Sequence, residues 1–221
     1  ISLASAPSDP SVVYALADGP RVWRIDNVTA TPVVQIPADL FTAQADYDQT
    51  IAVHPTRPQR IALGGCFTIV PAGIGIYNAA IFVASVTRPN PAGNYQFGFA
   101  PTTVGDSSTA DAYVGVGVHA DVHMLRFVPV GTAVQLWTGC DGGVFRSQRG
   151  DDDNRLIRGS FVSRNSGMCT LECGYVATHP SADGHVIAGT QDNGTLTRVG
   201  VTLWQALFLG DGGAVAYNPV T

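Results

Sequence analysis

Four acids stand at nearly one distance ahead of a proline. Asp48, Asp121, Glu172 and Asp211 precede Pro55, Pro129, Pro180 and Pro219 by seven or eight residues each. Carboxylates that share a place in a repeated unit come together whenever the units are arranged around an axis. A ring of four would focus a negative potential between low-dielectric walls. Such a ring suits Ca²⁺, which takes oxygen ligands, or a polar carbohydrate cleft. It could also supply a glycoside hydrolase, whose two carboxyl groups face a cleft about 5–9 Å apart. All four acids are therefore binding candidates, and Asp48, Asp121 and Asp211 are the catalytic candidates. The plainer reading is that Asp caps the turn before a strand.

A second constellation is "HADVH" at 119–123. His119, Asp121 and His123 alternate, so on a strand all three would share one face. Two imidazoles and a carboxylate match zinc or another transition metal. Same-face neighbours on a strand stand about 6–7 Å apart, which lets two of the three hold one ion. Against this stands a hydrogen-bonded polar strand start with no metal. No cofactor is required by these patterns; Ca²⁺ or a transition metal is what they would accept. Of Cys66, Cys140, Cys169 and Cys173, only the last two have a short spacing. One disulfide with two buried thiols, two disulfides, and metal ligation all fit them.

The elements that must position these residues are written as a repeat. "ISLASAP" (1–7), "QTIAVHP" (49–55), "HMLRFVP" (123–129), "GYVATHP" (174–180) and "GAVAYNP" (213–219) are short apolar strands closed by proline. Their prolines lie 48, 74, 51 and 39 residues apart. A second strand follows in four copies: "VVYALA" (12–17), "IALGG" (61–65), "VQLWTG" (134–139) and "VIAGT" (186–190). Turns such as "CDGG" and "QDNG" lead to a third: "RVWRI" (21–25), "AIFVAS" (80–85), "GVFRS" (143–147) and "TLTRV" (195–199). In the second copy the segment 66–78 replaces the turn, and its Gly, Pro and aromatic content suits a surface loop. Units of about 40–50 residues with several short strands are the signature of β-propeller blades.

The expected fold is therefore all-β: one propeller segment over 1–221, with blades at about 1–47, 48–118, 119–172 and 173–210 and a further blade starting at 211–221. Propellers typically carry four to eight blades, so a compact four-bladed ring is one reading, but an open one would leave unpaired edges. The expectation is a part of a larger propeller, completed by remaining blades or by another chain.

Composition agrees and excludes several functions. Sixteen of the seventeen acids are Asp, all twelve bases are Arg, and Lys is absent, so the strong surface-helix formers are missing. Charged residues make up 13% of the chain, and the net charge is −5. Without clustered bases, nucleic acid is not an expected partner. The apolar run 79–86 is too short for a membrane span. No "GxSxG" elbow occurs, and no helix follows the glycine pairs to form a phosphate loop. The sequons "NVT" (27–29) and "NGT" (193–195) and the Cys content favour an extracellular location.

The order "HADVHML…TGCDGGVFRS…HP…AGTQDNGT…W…GDGGAVAYNP" resembles the Asp-box (BNR-like) propeller superfamily, strongly over about 119–218 and faintly over 1–90. That superfamily includes sortilin-type receptors, xyloglucan-cleaving endoglucanases, sialidases and secreted bacterial proteins. The box, roughly Ser-x-Asp-x-Gly-x-Thr-Trp, is degenerate here: "RSQRGDDDN" (146–154) keeps Ser147 and Gly150 without the Thr-Trp end. The resemblance implies a propeller with a secreted habit, not one activity. Sialidase chemistry fits poorly, because Arg24, Arg146 and Arg198 fall on third strands and the only Glu is Glu172. The expected function is an extracellular module that binds or scaffolds, with a glycan or protein ligand at the channel face. The alternative is a secreted glycoside hydrolase working through the aspartates.

Overall fold

A computed structural model describes residues 1–19, 21–36, 44, 46–69, 76–98, 113–148, 150–151, 161–168 and 171–218, with the backbone alone of 68, 69, 76 and 183. Every regular element among the described residues is a strand. No helix among them is long and apolar enough to cross a membrane. The chain divides into two compact units, 1–166 and 167–221.

The first unit holds three four-stranded antiparallel blades. The first runs through β1 (Ser2–Ala6), β2 (Asp9–Ala17), β3 (Arg21–Asp26) and β4 (Thr29–Val34). The second contains β5 (Gln49–His54), β6 (Arg57–Ile69), β7 (Ile76–Thr87) and β8 (Tyr95–Gly98). The third contains β9 (Val122–Val130), β10 (Ala133–Cys140), β11 (Gly143–Ser147) and β12 (Phe161–Ser163). Outer strands β4 and β8 also pair in parallel, Val33 with Tyr95, which joins the first two blades into one eight-stranded sheet. The second unit is a single blade of β13 (Cys173–His179), β14 (Ala182–Thr190), β15 (Gly194–Val199) and β16 (Leu203–Phe208). The fold is thus all-β and built of four-stranded propeller blades.

Period-two alternation explains how the second blade packs. Ile51 and Val53 of β5, Ile61 and Leu63 of β6, and Ala80, Phe82 and Ala84 of β7 join Val12, Tyr14 and Leu16 in a core against the first blade. The intervening Ala52, Ala62, Ala79, Ile81 and Val83 join Val122, Leu125, Phe127 and Leu136 in a core against the third. A sheet buried on both faces needs near-continuous apolar strands, and "AAIFVASV" is such a run. Full burial of each large apolar side chain contributes about 1.5–3 kcal/mol.

One sequence expectation is corrected. Residues 66–69 and 76–78 are not loop: they extend β6 and β7 into a long hairpin, pairing Cys66 with Ala79 and Phe67 with Asn78. Apolar residues at alternate positions let the ladder continue past the expected turn; 70–75 lie outside the described residues. Residues 213–218 form no ladder among the described residues, and Pro219 lies outside them. Gly212 N–H donates to Thr190 O at 2.7 Å, which seats the start of this segment beside β14.

Candidate functional site

The site is assembled where β5 and β9 begin. A turn before β5 is closed by the amides of Tyr47 and Asp48, which donate to Gln44 O at 3.0 and 2.8 Å. Gln44 takes a left-handed conformation, φ +52°, and the turn sinks the Asp48 side chain to zero exposure. Asp121, immediately before β9, is also left-handed, at φ +61°, a conformation that Asp tolerates better than most residues. Tight backbone at both strand starts is what brings these two carboxyls together. With the Sγ of Cys66, on the extended part of β6, their oxygens lie within 4.8 Å of one another. Gln44 sets its amide against both; with the nitrogen turned inward it donates to Asp48 Oδ2 at 3.0 Å and Asp121 Oδ1 at 2.5 Å.

His123 closes the other side. Its Nδ1 is 3.1 Å from Asp48 Oδ1, and its Nε2 is 2.6 Å from Asp141 Oδ1. Asp141 arrives from the "CDGG" turn, because β10 pairs Cys140 with Val122 and carries the next residue to the start of β9. Tyr47, 53% exposed, meets the His123 ring edge-on, with centroids 4.9 Å apart and planes at 82°.

Burial pushes the Asp48 carboxyl up to about 7, its hydrogen bond with Asp121 adds to the rise, and His123 opposes it. Burial and the neighbouring Asp121 push the Cys66 thiol up to about 12, and burial pushes Cys140 to about 11. Both sulfurs are thiols at neutral pH, not nucleophiles.

Asp48 and Asp121 are thus brought together. Glu172 and Asp211 belong to the second unit and are exposed there; Glu172 O accepts from Gln191 N at 3.1 Å, and Asp211 Oδ1 accepts from Asp192 N at 3.0 Å. The set His119, Asp121 and His123 does not share a strand face. β9 starts at Val122, and the left-handed Asp121 breaks the alternation. His119 lies outside the strand, with Nδ1 3.2 Å from Ala120 O. Neither disulfide arrangement is present among the described residues, where Cys66, Cys140 and Cys173 are free; Cys169 lies outside them. Sequence spacing gives Gln44 and Asp141 no place among the site residues, and places Cys66 only as one of four cysteines open to metal ligation. The pairing of the "CDGG" hairpin with "HMLRFVP" was the signal that would have placed Asp141 beside His123.

The two histidines of the "HP" segments are structural. His54 Nδ1 accepts from Thr56 N at 3.3 Å, and His179 Nδ1 accepts from Ser181 N at 3.2 Å, each bridging the turn after an innermost strand.

No family model and no curated protein matches the sequence. Among solved structures, the chain is similar to the β-propeller domain of Cps50 (Swd1) from Myceliophteria thermophila, with 12% identity and a TM-score of 0.35. It is similar to the GH74 enzyme of Niastella koreensis, with 14% identity and a TM-score of 0.31. A third is Chaetomium thermophilum Sqt1 bound to the N-terminus of ribosomal protein L10, with 11% identity and a TM-score of 0.28. These matches cover 99%, 92% and 95% of this chain, which spans 64%, 37% and 64% of the three.

Proposed function

We propose that this chain is an extracellular propeller module of the Asp-box kind that binds a glycan or a protein at the face where β5 and β9 begin. One observation carries the reading: the exposed Tyr47 ring rests on the edge of His123, whose Nε2 is anchored to Asp141 Oδ1 at 2.6 Å and whose Nδ1 lies 3.1 Å from Asp48 Oδ1. An exposed aromatic fixed over anchored polar groups is a recognition platform, because its apolar face and polar surroundings contact a ligand at little entropic cost.

The hydrolase reading draws on the raised Asp48 carboxyl, which lies in the range of a general acid at neutral pH. Its geometry is less favourable. Asp48 is fully buried, and its oxygens and those of Asp121 lie within 4.8 Å of one another. A retaining or inverting pair stands about 5–9 Å apart across a cleft that admits the sugar.

The separating experiment is a titration of soluble glycans, including xyloglucan, with reducing-end release measured in parallel. The binding reading expects association that Tyr47→Ala weakens about tenfold, as truncation of an aromatic anchor does, with no release of reducing ends. Release that disappears in Asp48→Asn or Asp121→Asn would establish the hydrolase instead.

A further inference from the structure

We propose that Asp48, Cys66 and Asp121 form a binding site for a thiophilic divalent cation of the zinc class. The donors come from three separated places, the starts of β5 and β9 and the far part of β6, and their ligand atoms converge within 4.8 Å. Two of the three side chains, Asp48 and Cys66, are fully buried.

The independent observation is an unsatisfied oxygen on a buried carboxylate. Asp48 Oδ1 accepts no hydrogen bond, although its side chain has no solvent exposure; His123 Nδ1 lies 3.1 Å away but out of line. A buried carboxylate oxygen without a donor costs free energy that a cation recovers. Tetrahedral zinc places sulfur at about 2.3 Å and oxygen at about 2.0–2.2 Å, so its ligands stand about 3.5 Å apart. Closing from the present spacing requires a shift of about 1 Å, within reach of side-chain rotation. Gln44 lies against both carboxylates, and turning its amide oxygen inward would add a fourth donor.

The donor chemistry selects the metal. A thiolate beside two carboxylates suits Zn²⁺ or Co²⁺, whereas Ca²⁺ and Mg²⁺ take oxygen shells. Binding displaces the Cys66 proton to solvent, so affinity rises with pH. Asp48 is shared with the glycan or protein reading, but the cation site does not rest on that reading: metal binding needs no ligand at Tyr47.

The test uses the whole chain, stripped with chelator and titrated with Co²⁺. The expected result is one equivalent bound, with a thiolate-to-cobalt charge-transfer band and the intense visible bands of a tetrahedral site. Cys66→Ser should abolish the charge-transfer band, Cys140→Ser should leave it intact, and Asp48→Asn should weaken binding by at least about tenfold. Zn²⁺ should compete for the site and raise the melting temperature, as any ligand selective for the folded state does. If Cys66→Ser fails to fold, the wild-type spectrum with the Cys140→Ser and Asp48→Asn titrations still decides. Absence of the charge-transfer band, its survival in Cys66→Ser, or stabilisation by Ca²⁺ in place of Zn²⁺ would overturn the proposal.

Discussion

Arg60 of the second blade and Asp151 of the third form a two-pronged ion pair with neither side chain exposed. Nε reaches Oδ2 at 2.9 Å, and Nη2 reaches Oδ1 at 2.7 Å. Arg57 adds a contact to Oδ2 at 2.9 Å, and the Asp151 amide donates to Val134 O at 2.7 Å. Removing one partner strands the other charge in a dry interface, which costs about 3–5 kcal/mol. Asp151→Ala should lower the unfolding free energy by that amount, read as a lower urea midpoint with an unchanged slope. The double variant Arg60→Met with Asp151→Leu should recover much of the loss, since no charge at position 60 is then left buried. Equal loss in both would show that the pair itself, not the orphaned charge, holds the blades.

His54 gives the fold a pH dependence of known sign. Burial, then Arg57, pulls its pKa down to about 4 from the ordinary 6.5. The unfolded chain therefore binds a proton that the folded chain refuses between these values. The neutral ring's contribution is complete above pH 6.5 and is lost as pH falls from there toward 4, amounting to ~3 kcal/mol. Asp48, whose carboxyl is raised, contributes in the opposite sense over nearly the same range. The measurement is accordingly a difference: wild type against His54→Asn, which keeps an acceptor for the Thr56 amide. The gap in unfolding free energy should shrink on acidification; a constant gap would mean that His54 does not titrate on unfolding.

Much of this architecture was legible before any coordinates. The four "strand–proline–strand–turn–strand" copies became β1–β3, β5–β7, β9–β11 and β13–β15, because alternation and turn residues are local signals. The fourth strands β4, β8, β12 and β16 carry weak patterns. Pro32 sits within "TATPVV", and every residue of "LWQALF" is exposed, so neither shows a clean half-buried alternation. At the site, the shared offset of Asp48 and Asp121 was readable. Their left-handed neighbourhood was not, since a single residue at positive φ leaves no periodic trace, and it takes His119 out of the strand alternation with His123. Asp141 and Cys66 reach the site through strand register and a hairpin extension, which are properties of paired strands.

Gly64 is a contact glycine. A Cβ there would lie 2.7 Å from Thr50 Cγ2 and 2.9 Å from both Leu125 Cδ1 and Val122 Cγ1. These atoms belong to β5 and β9, so the missing side chain lets the second and third blades close. Gly64→Ala should destabilise by about 1–3 kcal/mol through overpacking. Adding Thr50→Ser removes the nearest methyl and keeps the hydroxyl that accepts from Leu125 N at 3.3 Å. It should restore part of the loss, read as a melting temperature intermediate between the single variant and wild type. A melting temperature for Gly64→Ala equal to wild type would show that the interface yields at no cost.

Asn165 holds the turn that delivers Asp141. Its Oδ1 accepts from Val144 N at 2.7 Å, and its Nδ2 donates to Gly142 O at 2.7 Å, bridging a hairpin in which Gly143 has φ +102°. Val144 N–H and Gly142 O have no equivalent replacement once the amide is removed, and an orphaned partly buried group costs about 1–3 kcal/mol. Asn165→Ala should therefore speed hydrogen exchange at the Val144 amide selectively, beyond any global destabilisation. Asn165→Asp keeps the acceptor and loses the donor, so it should protect Val144 while releasing Gly142. Because Asp141 precedes Gly142, a loosened turn should also free the His123 ring, seen as a shift of its imidazole resonances in both variants. Val144 exchange that is unchanged in Asn165→Ala would mean that the hairpin fixes itself and that Asp141 is positioned by β10 alone.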